Sequence, residues 1–479
     1  MGDMSRKEVS PLTSWLYGSG NLGNCLVFTF VGAYVMFYYT NVLGISAATA
    51  GTIFLVARLI DAFTDPLMGM IVDHTNTKMG KFRPYVTFGA PFLGVVFVMM
   101  FSASVNWSLN TRIAYAYIAY ITYSLAYTVV QTPHLAMPVI LSDDVNVRTK
   151  IQAIFQAVGS ISNLLVVSFA IPAFQYFGGM ENPGAWNKVA LIYAVMGTVS
   201  LIISSESIKE YDRPELDKKA ISTKRNNRLD FVKSLKLAFK NKALICVLVA
   251  YGTDMFANQI TTALRLYFFK YNMNGRENLI TYIGYIGTVF GILMIFFIQS
   301  YAKKFGKRIG IIIPEAMCLG FTLLLLVSAP RENVAFVMIS FFGTTILFSL
   351  TNMLSRAAVL DAANWGEIRT GVDNSALINS SFTFINKCCQ AFSMYFSGRL
   401  LSATGYDATL VQQPQGTLDM ILLLMTIPPI IAYICSLVGM KFYPLKVRDE
   451  ITLKAIQEAE ERKWFCKLSI SSNNVARFV

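Results

Sequence analysis

The stretch Arg58-Leu59-Ile60-Asp61-Ala62-Phe63-Thr64-Asp65-Pro66 places two carboxylates inside an apolar run of residues 51–72. An ionised aspartate in the middle of a bilayer is costly unless it is paired or faces water. Asp61 and Asp65 are four residues apart, so they project from one face of a helix, and the Thr64 hydroxyl can join them. Such oxygen ligands suit a hard monovalent cation or a proton. The alternative is a structural ion pair between the first aspartate and the arginine that opens the stretch.

The composition is that of a membrane protein with several spans. The 479 residues are 54% hydrophobic and 14% charged, whereas a soluble protein carries about 25% charged residues. The formal net charge is +13, but the basic residues are spread over connections between apolar segments, which indicates membrane topology rather than nucleic-acid binding. The seven cysteines lack zinc-type spacing, and only two histidines are present. Neither a disulfide framework nor a histidine metal centre is expected.

Twelve apolar segments reach the length of about 20 residues that a membrane-spanning helix needs. They lie at residues 14–40, 46–73, 84–103, 111–140, 150–177, 186–205, 242–270, 280–302, 308–328, 333–359, 372–403 and 417–442. We therefore predict an all-α membrane protein with twelve transmembrane helices in two six-helix bundles, at residues 1–204 and 242–442. A basic cytoplasmic linker at 205–241 joins the bundles, and a cytoplasmic tail follows at 443–479.

Lysine and arginine in the connections set the predicted orientation. Connections after even-numbered segments are basic, as in Gly80-Lys81-Phe82-Arg83 and Phe305-Gly306-Lys307-Arg308, whereas residues 41–46 and 403–416 contain neither lysine nor arginine. Because positively charged loops stay in the cytoplasm, both termini are predicted to be cytoplasmic. The glycine–lysine motif recurs six segments later. This recurrence favours two parallel repeats with a substrate site between them at mid-membrane.

Local motifs resemble those of one transporter family. The similar motifs, in the expected order, are Tyr17-Gly18, Phe37-Tyr38-Tyr39-Thr40, Asp61-Ala62-Phe63-Thr64-Asp65-Pro66, Gly80-Lys81-Phe82-Arg83-Pro84, Leu360–Glu367 and Phe382–Lys387. They resemble the glycoside–pentoside–hexuronide:cation symporters of the major facilitator superfamily, with the melibiose carrier as the best-known member. The resemblance covers most of the chain. It implies the major facilitator fold and symport of a sugar with Na⁺ or H⁺ across the cell (inner) membrane.

The resemblance also implies roles for individual residues in cation binding. Asp61, Thr64 and Asp65 match the family's cation ligands in the second segment, and the two aspartates would hold Na⁺ in a sodium-coupled carrier. Thr128 in the fourth segment matches a further ligand. Lys387 matches a lysine that lies near both the cation and the sugar sites. A buried lysine there can neutralise a carboxylate while the coupling cation is absent.

Two further matches concern the inner gate. Arg148 and Asp361 match positions at the cytoplasmic ends of helices in the family. Charged pairs between the two halves at this level could hold the gate shut when the carrier opens outward. The alternative for both residues is a solvated loop charge.

The expected sugar contacts depart from those of the melibiose carrier. The aligned positions of its sugar clamp carry Cys25, Gln131 and Gln156 instead of two aspartates and one arginine. Amide side chains both donate and accept hydrogen bonds, so the two glutamines could still hold sugar hydroxyls. Asn21 and Asn24, three residues apart, are further candidate contacts. Melibiose is therefore not the expected substrate.

The second half supplies the remaining candidate sugar contacts. Asn352 stands where a tryptophan would pack on the sugar, and Asn258, Arg265 and Thr383 complete the set. Arg265 could bind an anionic sugar such as a uronide through two hydrogen bonds. Local pairing or a lipid-headgroup contact is the alternative for this arginine, and neutral pentosides such as xylosides remain equally compatible.

Two classes of function are open at this point. The first is cation-coupled symport by alternating access, and the second is a non-transporting sensor or partner-binding protein on a transporter fold. Retention of the acidic pair, Thr128 and Lys387 favours symport, because a mere binder does not require them. No Ser/His/Asp, Cys/His or metal constellation points to an enzyme. The expected partners are a sugar or glycoside, the coupling cation and membrane lipid, without a cofactor and without nucleic acid.

Overall fold

The computed structural model describes residues 9–142, 145–212, 241–370, 375–408, 410 and 412–444, and these residues are predominantly helical. The first half of the chain forms α1 (Pro11–Phe37), α2 (Ala47–His74), α3 (Arg83–Met100), α4 (Leu109–Ala136), α5 (Pro138–Leu141), α6 (Val145–Tyr176) and α7 (Pro183–Ser207). The second half forms α8 (Lys242–Tyr267), α9 (Leu279–Ser328), α10 (Val334–Thr370), α11 (Ser375–Ala403) and α12 (Gln415–Lys441). Single π-helical turns, Tyr38–Val42 and Phe268–Asn272, extend α1 and α8.

Local sequence fixes where several helices begin. Ser10, Ser46 and Ser108 stand directly before α1, α2 and α4, and each hydroxyl accepts a hydrogen bond from the backbone N–H three residues later. A serine in this position satisfies one of the N–H groups that a helix start leaves unpaired, and replacing it with alanine costs about 1 kcal/mol.

Ten spans among the described residues are long and apolar enough to cross a membrane. The predicted eighth and ninth segments are two helices that meet at Gly306, which leaves helical geometry with φ 67° and ψ 167°, and the label α9 covers both of them. Of the ten spans, Ser300–Arg331 covers the last part of α9 and the short turn after it, whereas Leu279–Gly291 at the start of α9 is a shorter apolar stretch. α11 falls within the predicted eleventh segment but is not among the ten. The fold is therefore all-helical with ten to twelve membrane helices, and the number twelve and the cytoplasmic termini stay predictions.

The predicted linker and tail are described only at their edges, because residues 213–240 and 445–479 lie outside the described part of the chain. The helices that are described pack mainly within their own half: α1 against α6 and α7, α2 against α4, α8 against α12, and α9 against α10. Between the halves, α2 contacts α11, α6 contacts α9, and α1 contacts α8. Helix α2, which packs against α4, thus meets α11, which carries Lys387.

The Gly-Lys-Phe-Arg motif is held by a carboxylate that the sequence alone did not point to. Asp212 accepts hydrogen bonds from the backbone N–H groups of Lys81, Phe82 and Arg83 at 2.7, 2.9 and 2.9 Å. Gly80 has φ +104°, and a Cβ there would lie 2.3 Å from the Asp212 Cγ. The motif therefore requires glycine for its conformation and for the close approach of Asp212.

The repeated motif has a comparable role in the second half. Arg83 donates to the Ser205 carbonyl near the end of α7, and Arg308 donates to the Met440 carbonyl near the end of α12. Each motif thus connects its loop to the last helix of its own half. The two-repeat organisation that the sequence motif suggested stays a prediction.

Candidate cation and sugar site

Two pairs of polar residues face each other between α2 and α4. The Ser124 hydroxyl donates to Asp61 and lies 2.7 and 2.8 Å from its two carboxylate oxygens. One turn further along, the Thr128 hydroxyl donates to Asp65 Oδ1 at 2.8 Å. In both pairs the partners are 63 residues apart in sequence, so the two helices run parallel in matched register. Side chains four residues apart on each helix therefore build one polar seam.

Asp61 occupies the more enclosed end of this seam. Its Oδ2 is 2.7 Å from Nη1 of Arg58, and the two side chains are only 2% and 7% exposed. The other guanidinium nitrogen of Arg58, Nη2, donates to Gln390 Oε1 on α11 at 2.6 Å. The structural ion pair that the sequence offered as an alternative is thus present. The charge of Asp61 is already neutralised by Arg58, and both of its oxygens accept hydrogen bonds. Asp61 is therefore less accessible to a bound cation than a free carboxylate would be.

Asp65 is the accessible carboxylate of the pair. Its side chain is 29% exposed, and its Oδ2 receives a hydrogen bond from Lys387 Nζ at 2.5 Å. The same nitrogen lies 3.9 Å from Asp61 Oδ2. Lys387 belongs to the second half of the chain and both aspartates to the first. One partly buried ammonium group therefore joins the two halves through the cation-site carboxylate.

The donor set fits a hard cation. The Thr64 hydroxyl is buried and has no hydrogen-bond partner among the described residues. Together with the hydroxyls of Ser124 and Thr128 and the carboxylates of Asp61 and Asp65, it offers only oxygen ligands, which suit Na⁺ or a proton. The described part of the chain contains no cluster of three or more His, Cys, Asp or Glu side chains suited to a metal. Any metal bound here would depend on these hydroxyl groups.

Ser124 was not identified from the sequence, although a signal existed. Ser124 and Thr128 repeat the four-residue spacing of Asp61 and Asp65. Once Thr128 is paired with Asp65, that spacing places Ser124 opposite Asp61.

Two candidate sugar residues of α1 are used in helix packing. Asn24 is fully buried, and its Nδ2 contacts His134 Nδ1 on α4 at 2.9 Å. Asn21 donates to the Phe155 carbonyl on α6 at 2.7 Å, and Cys25 donates its weak S–H bond to Asn21 Oδ1 at 3.5 Å. Asn24 is not available to a ligand in this conformation, because its amide is enclosed by the first half. Cys25, one helical turn after Asn21, is partly exposed.

The candidate glutamines remain compatible with a ligand. Gln156 on α6 is exposed, and Oε1 of Gln131 on α4 is buried without a hydrogen-bond partner among the described residues. An amide oxygen without a partner can accept a sugar hydroxyl. The Thr383 side chain lies outside the described part of the chain.

Asn352 has a cationic neighbour that was not identified from the sequence. Arg356 on α10 is exposed, and its Nε donates to Asn352 Oδ1 at 3.1 Å. An exposed guanidinium can donate to a sugar hydroxyl, so Arg356 joins the candidate sugar contacts.

Arg265 lines a pocket between four helices of the second half. Asn258, Thr322, Thr344 and Tyr433 from α8, α9, α10 and α12 share this pocket. Their hydroxyl and amide groups give it a polar wall around the arginine. The enclosed space is small, about that of one water molecule, so in this conformation it admits at most a single polar group.

The guanidinium of Arg265 has no acidic partner among the described residues. Its Nε is buried without a hydrogen bond, and its central carbon lies 5.6 Å from the ring centre of Phe341. This stacking is a cation–π contact and leaves the donor edge of the guanidinium free. The local ion pair that the sequence offered as an alternative is thus not formed with any described residue.

Polar contacts close one end of the molecule between the halves. This end carries residues 38–46, is predicted to face outward and is called the outer end below. The Thr40 hydroxyl lies 2.7 Å from the Tyr267 hydroxyl, and Asn41 Nδ2 donates to the Tyr271 hydroxyl at 2.6 Å. The Tyr406 hydroxyl donates to Asn41 Oδ1 at 2.7 Å. These contacts join α1 to the α8 and α11 regions, so the outer end is shut in this conformation.

At the opposite end, Asp361 forms an ion pair with Lys307. Lys307 lies on α9 and Asp361 on α10, so this pair stays within the second half. The side chain of Arg148 lies outside the described part of the chain. A charged pair that joins the two halves at the inner gate therefore stays a prediction.

Comparisons with known proteins agree with this architecture. The family model described as MFS/sugar transport protein matches residues 16–447. The isoprimeverose transporter of Lactiplantibacillus pentosus is 30% identical over 444 residues, covering 91% of this chain and 88% of that protein. The uncharacterized symporter YnaJ of Bacillus subtilis is 29% identical and covers 95% and 96% of the two chains. The glucuronide carrier protein homolog of Escherichia coli is 26% identical, covering 93% and 95%.

Solved structures support the fold. A bacterial homolog of the lysosomal transporter Spinster, in an inward-facing conformation, superposes with a TM-score of 0.64 at 11% identity and covers 92% of this chain and 97% of that one. The nucleoside transporter NupG gives 0.60 at 12% identity, with 91% and 100% coverage. The family and these relatives are transporters rather than enzymes. The chain is thus a multi-pass membrane protein that belongs to the MFS/sugar transport protein family, and the family resemblance of its motifs is confirmed.

Proposed function

We propose that this protein is a cation-coupled symporter that carries a glycoside, pentoside or hexuronide across the cell membrane. Two six-helix bundles, at residues 1–204 and 242–442, would rock around the central site and expose it to each side in turn. The observation that carries the proposal is the contact of Lys387 with Asp65. In this contact the positive charge of Lys387 in the second half lies on the accessible carboxylate of the first half, close to the hydroxyl groups of Thr64, Ser124 and Thr128.

The charges of this cluster explain how cation and sugar binding are coupled. Arg58 and Lys387 balance Asp61 and Asp65, so the cluster is neutral without the coupling cation. A cation at Asp65 takes the place of the Lys387 ammonium group and leaves one excess positive charge. The released lysine can then bind a sugar hydroxyl or a sugar carboxylate. Cation binding therefore raises sugar affinity, and sugar binding raises cation affinity by the same factor.

Lys387→Gln is expected to tighten binding of the coupling cation in the absence of sugar. The lysine competes for Asp65, and a hydrogen bond between charged groups contributes about 1.5–3 kcal/mol. Its removal should lower the dissociation constant about 10- to 100-fold. Titration calorimetry with Na⁺ measures this constant, and a pH titration replaces it if H⁺ is the coupling cation.

The matched control is Lys188→Gln, because Lys188 is exposed and forms no ion pair with a described residue. It should leave cation affinity unchanged. Unchanged or weaker cation binding in Lys387→Gln would show that the lysine does not compete for the carboxylate.

We further propose that the substrate carries a carboxylate. Arg265 offers a free guanidinium edge in a polar pocket, and an anionic sugar would balance the excess positive charge that the bound cation creates. Two parallel N–H donors match a carboxylate in geometry as well as in charge.

Arg265→Gln is expected to lower glucuronide uptake about 100-fold, because a charged hydrogen-bonded pair contributes about 3 kcal/mol. Uptake of a neutral xyloside should change little. Uptake of each sugar is measured in proteoliposomes under an imposed Na⁺ or H⁺ gradient. The labelled panel contains glucuronides, xylosides and galactosides. Exposed Arg399→Gln, at the outer part of α11, is the control.

The same panel separates the remaining alternatives. Accumulation of a xyloside without a glucuronide would contradict the carboxylate proposal and favour hydroxyl binding by Gln131 and Gln156. Accumulation of no sugar, together with no counterflow, would overturn symport and favour a non-transporting sensor.

A further inference from the structure

Two carboxyl groups in the second half take no part in the site described above. Asp254 on α8 is 2% exposed and Glu315 on α9 is 1% exposed. Ala257 and Cys318, three residues further along α8 and α9, belong to one buried cluster, so the two carboxyl groups lie at the same level of the second half. Both positions are within helices that cross the membrane, where an ionised carboxylate without a partner is strongly unfavourable.

Hydroxyl groups surround this pair. Thr351 on α10 donates to Asp254 Oδ2 at 2.9 Å, and Ser436 on α12 lies beside Glu315. Three buried oxygens have no hydrogen-bond partner among the described residues: Asp254 Oδ1, Glu315 Oε2 and Ser436 Oγ. Ser436 is fully buried. Three helices, α8, α9 and α12, thus bring oxygen atoms without a described hydrogen-bond partner to one place, and α10 adds the Thr351 hydroxyl that donates to Asp254.

The neighbours of the pair provide no positive charge among the described residues. Ala257, Cys318 and Tyr433 pack together about one turn away on α8, α9 and α12. Tyr251, one turn before Asp254, is the other titratable neighbour on α8. Arg356 on α10 is exposed, donates to Asn352 and lies beside Tyr251 rather than Asp254. From α11, Cys389 contacts the Gly252 carbonyl of α8. Neither carboxyl group of the pair therefore forms an ion pair with a described basic side chain.

Physical chemistry restricts the charge state of such a pair. Burying one ionised carboxylate without a partner costs several kcal/mol, and a second negative charge nearby adds repulsion. A proton removes the charge and also supplies an O–H donor for one of the unpaired oxygens. Because the neighbouring residues are packed and both carboxyl groups are almost fully enclosed, a proton fits this place better than a hydrated metal ion.

We propose that Asp254 and Glu315 form a proton-binding site in the second half, separate from the cation site at Asp61 and Asp65, and that transport requires this site to be protonated. α8 carries Asp254, the sugar-pocket residue Asn258 one turn later, and the outer-end residue Tyr267. Movement of this helix during transport would change how well the pair is enclosed. Protonation would therefore favour the packed arrangement of α8, α9, α10 and α12.

The first test detects the bound proton directly in the purified full chain. Infrared spectra at neutral pH should contain the C=O stretching band of a protonated carboxylic acid. Asp254→Asn/Glu315→Gln should lose this band, and single Glu315→Gln should weaken or shift it. The control variant Asp419→Asn/Glu332→Gln changes two exposed acids and should retain the band. An unchanged band in the Asp254/Glu315 variants would overturn the proposal.

The second test measures the consequence for transport. Counterflow in saturating Na⁺ requires no net cation movement, and its rate should fall about tenfold per pH unit on the alkaline side as one proton is lost. Asp254→Asn/Glu315→Gln mimics the protonated pair, so its rate should stay level over the same range. If the counterflow rate of this variant falls with rising pH as steeply as that of the wild type, the proposed control of transport by the pair is wrong. Absence of counterflow in the wild type would count against symport, whereas the infrared test would still decide the proton site.

Discussion

Asp65→Asn is expected to abolish gradient-driven accumulation of sugar while the protein still folds and inserts. Asp65 is the accessible carboxylate of the cation site and accepts hydrogen bonds from Thr128 and Lys387. An amide of the same size keeps the shape but removes the negative charge that attracts a cation. A loss of about 3 kcal/mol in cation binding corresponds to an accumulation rate lower by about 100-fold. Uptake into proteoliposomes under a cation gradient measures the effect.

The matched control for this change is Asp419→Asn at the exposed start of α12. Asp419 accepts a hydrogen bond from Gln415. It lies on α12, whereas the residues of the cation site lie on α2, α4 and α11. Equal amounts of folded protein in both variants would assign the loss to the cation site. Accumulation at the wild-type rate in Asp65→Asn would exclude Asp65 as the coupling group.

Replacing Asp61 is expected to affect the stability of the protein as well as cation binding. The Asp61 carboxylate neutralises the buried Arg58 and accepts from Ser124. Removing one partner of a buried ion pair leaves an uncompensated charge, which costs about 3–5 kcal/mol. Loss of activity in an Asp61 variant would therefore combine lost stability with lost cation binding. Asp65, by contrast, isolates the coupling step.

The sequence predicted the helical fold because hydrophobic length is a local property. The apolar runs, the serine caps and the four-residue spacing of the aspartates all depend on residues close together in the chain. Thr128 and Lys387 were placed by family resemblance, and both contact Asp65. Local signals were thus sufficient for the elements and for Asp61 and Asp65, whereas the family resemblance was needed for Thr128 and Lys387.

The remaining features depend on contacts between distant segments. The Arg58 guanidinium binds Gln390, which is 332 residues away in sequence, and Asp212 holds a loop about 130 residues before it. Asn24 looked like a cavity residue because it is polar and lies within an apolar helix. Its partner His134 is 110 residues away. No local pattern specifies which of several polar side chains faces the cavity and which faces a neighbouring helix.

Gly398→Trp is expected to stop transport by preventing closure of the outer end. α2 and α11 belong to different halves and approach closely there. A Cβ on Gly398 would lie 2.1 Å from the Ala47 carbonyl oxygen and 3.4 Å from Gly51 Cα. A Cβ on Gly51 would lie 2.9 Å from Tyr395 Cα. Because these neighbours are backbone atoms, an indole at position 398 fits only if the helices separate.

Separation of α2 and α11 at this level would hold the outer end open. Overpacking of this kind costs at least about 1–3 kcal/mol, and the clash with backbone should be more severe. We therefore expect counterflow to fall more than about 100-fold. Cation binding should persist, because Asp65 and its α4 partner Thr128 lie several turns away from Gly51 on α2.

The control is Gly320→Trp, since a Cβ at Gly320 meets nothing within 4 Å and this position is exposed on the apolar helix α9. That variant should transport at the wild-type rate. Titration calorimetry with the coupling cation distinguishes a trapped carrier from an unfolded one, because only a folded Gly398→Trp protein binds the cation. Normal counterflow in Gly398→Trp would show that the halves do not need this close approach of α2 and α11. Loss of counterflow with retained cation binding would identify the crossing as the contact that the outer end must form in each transport cycle.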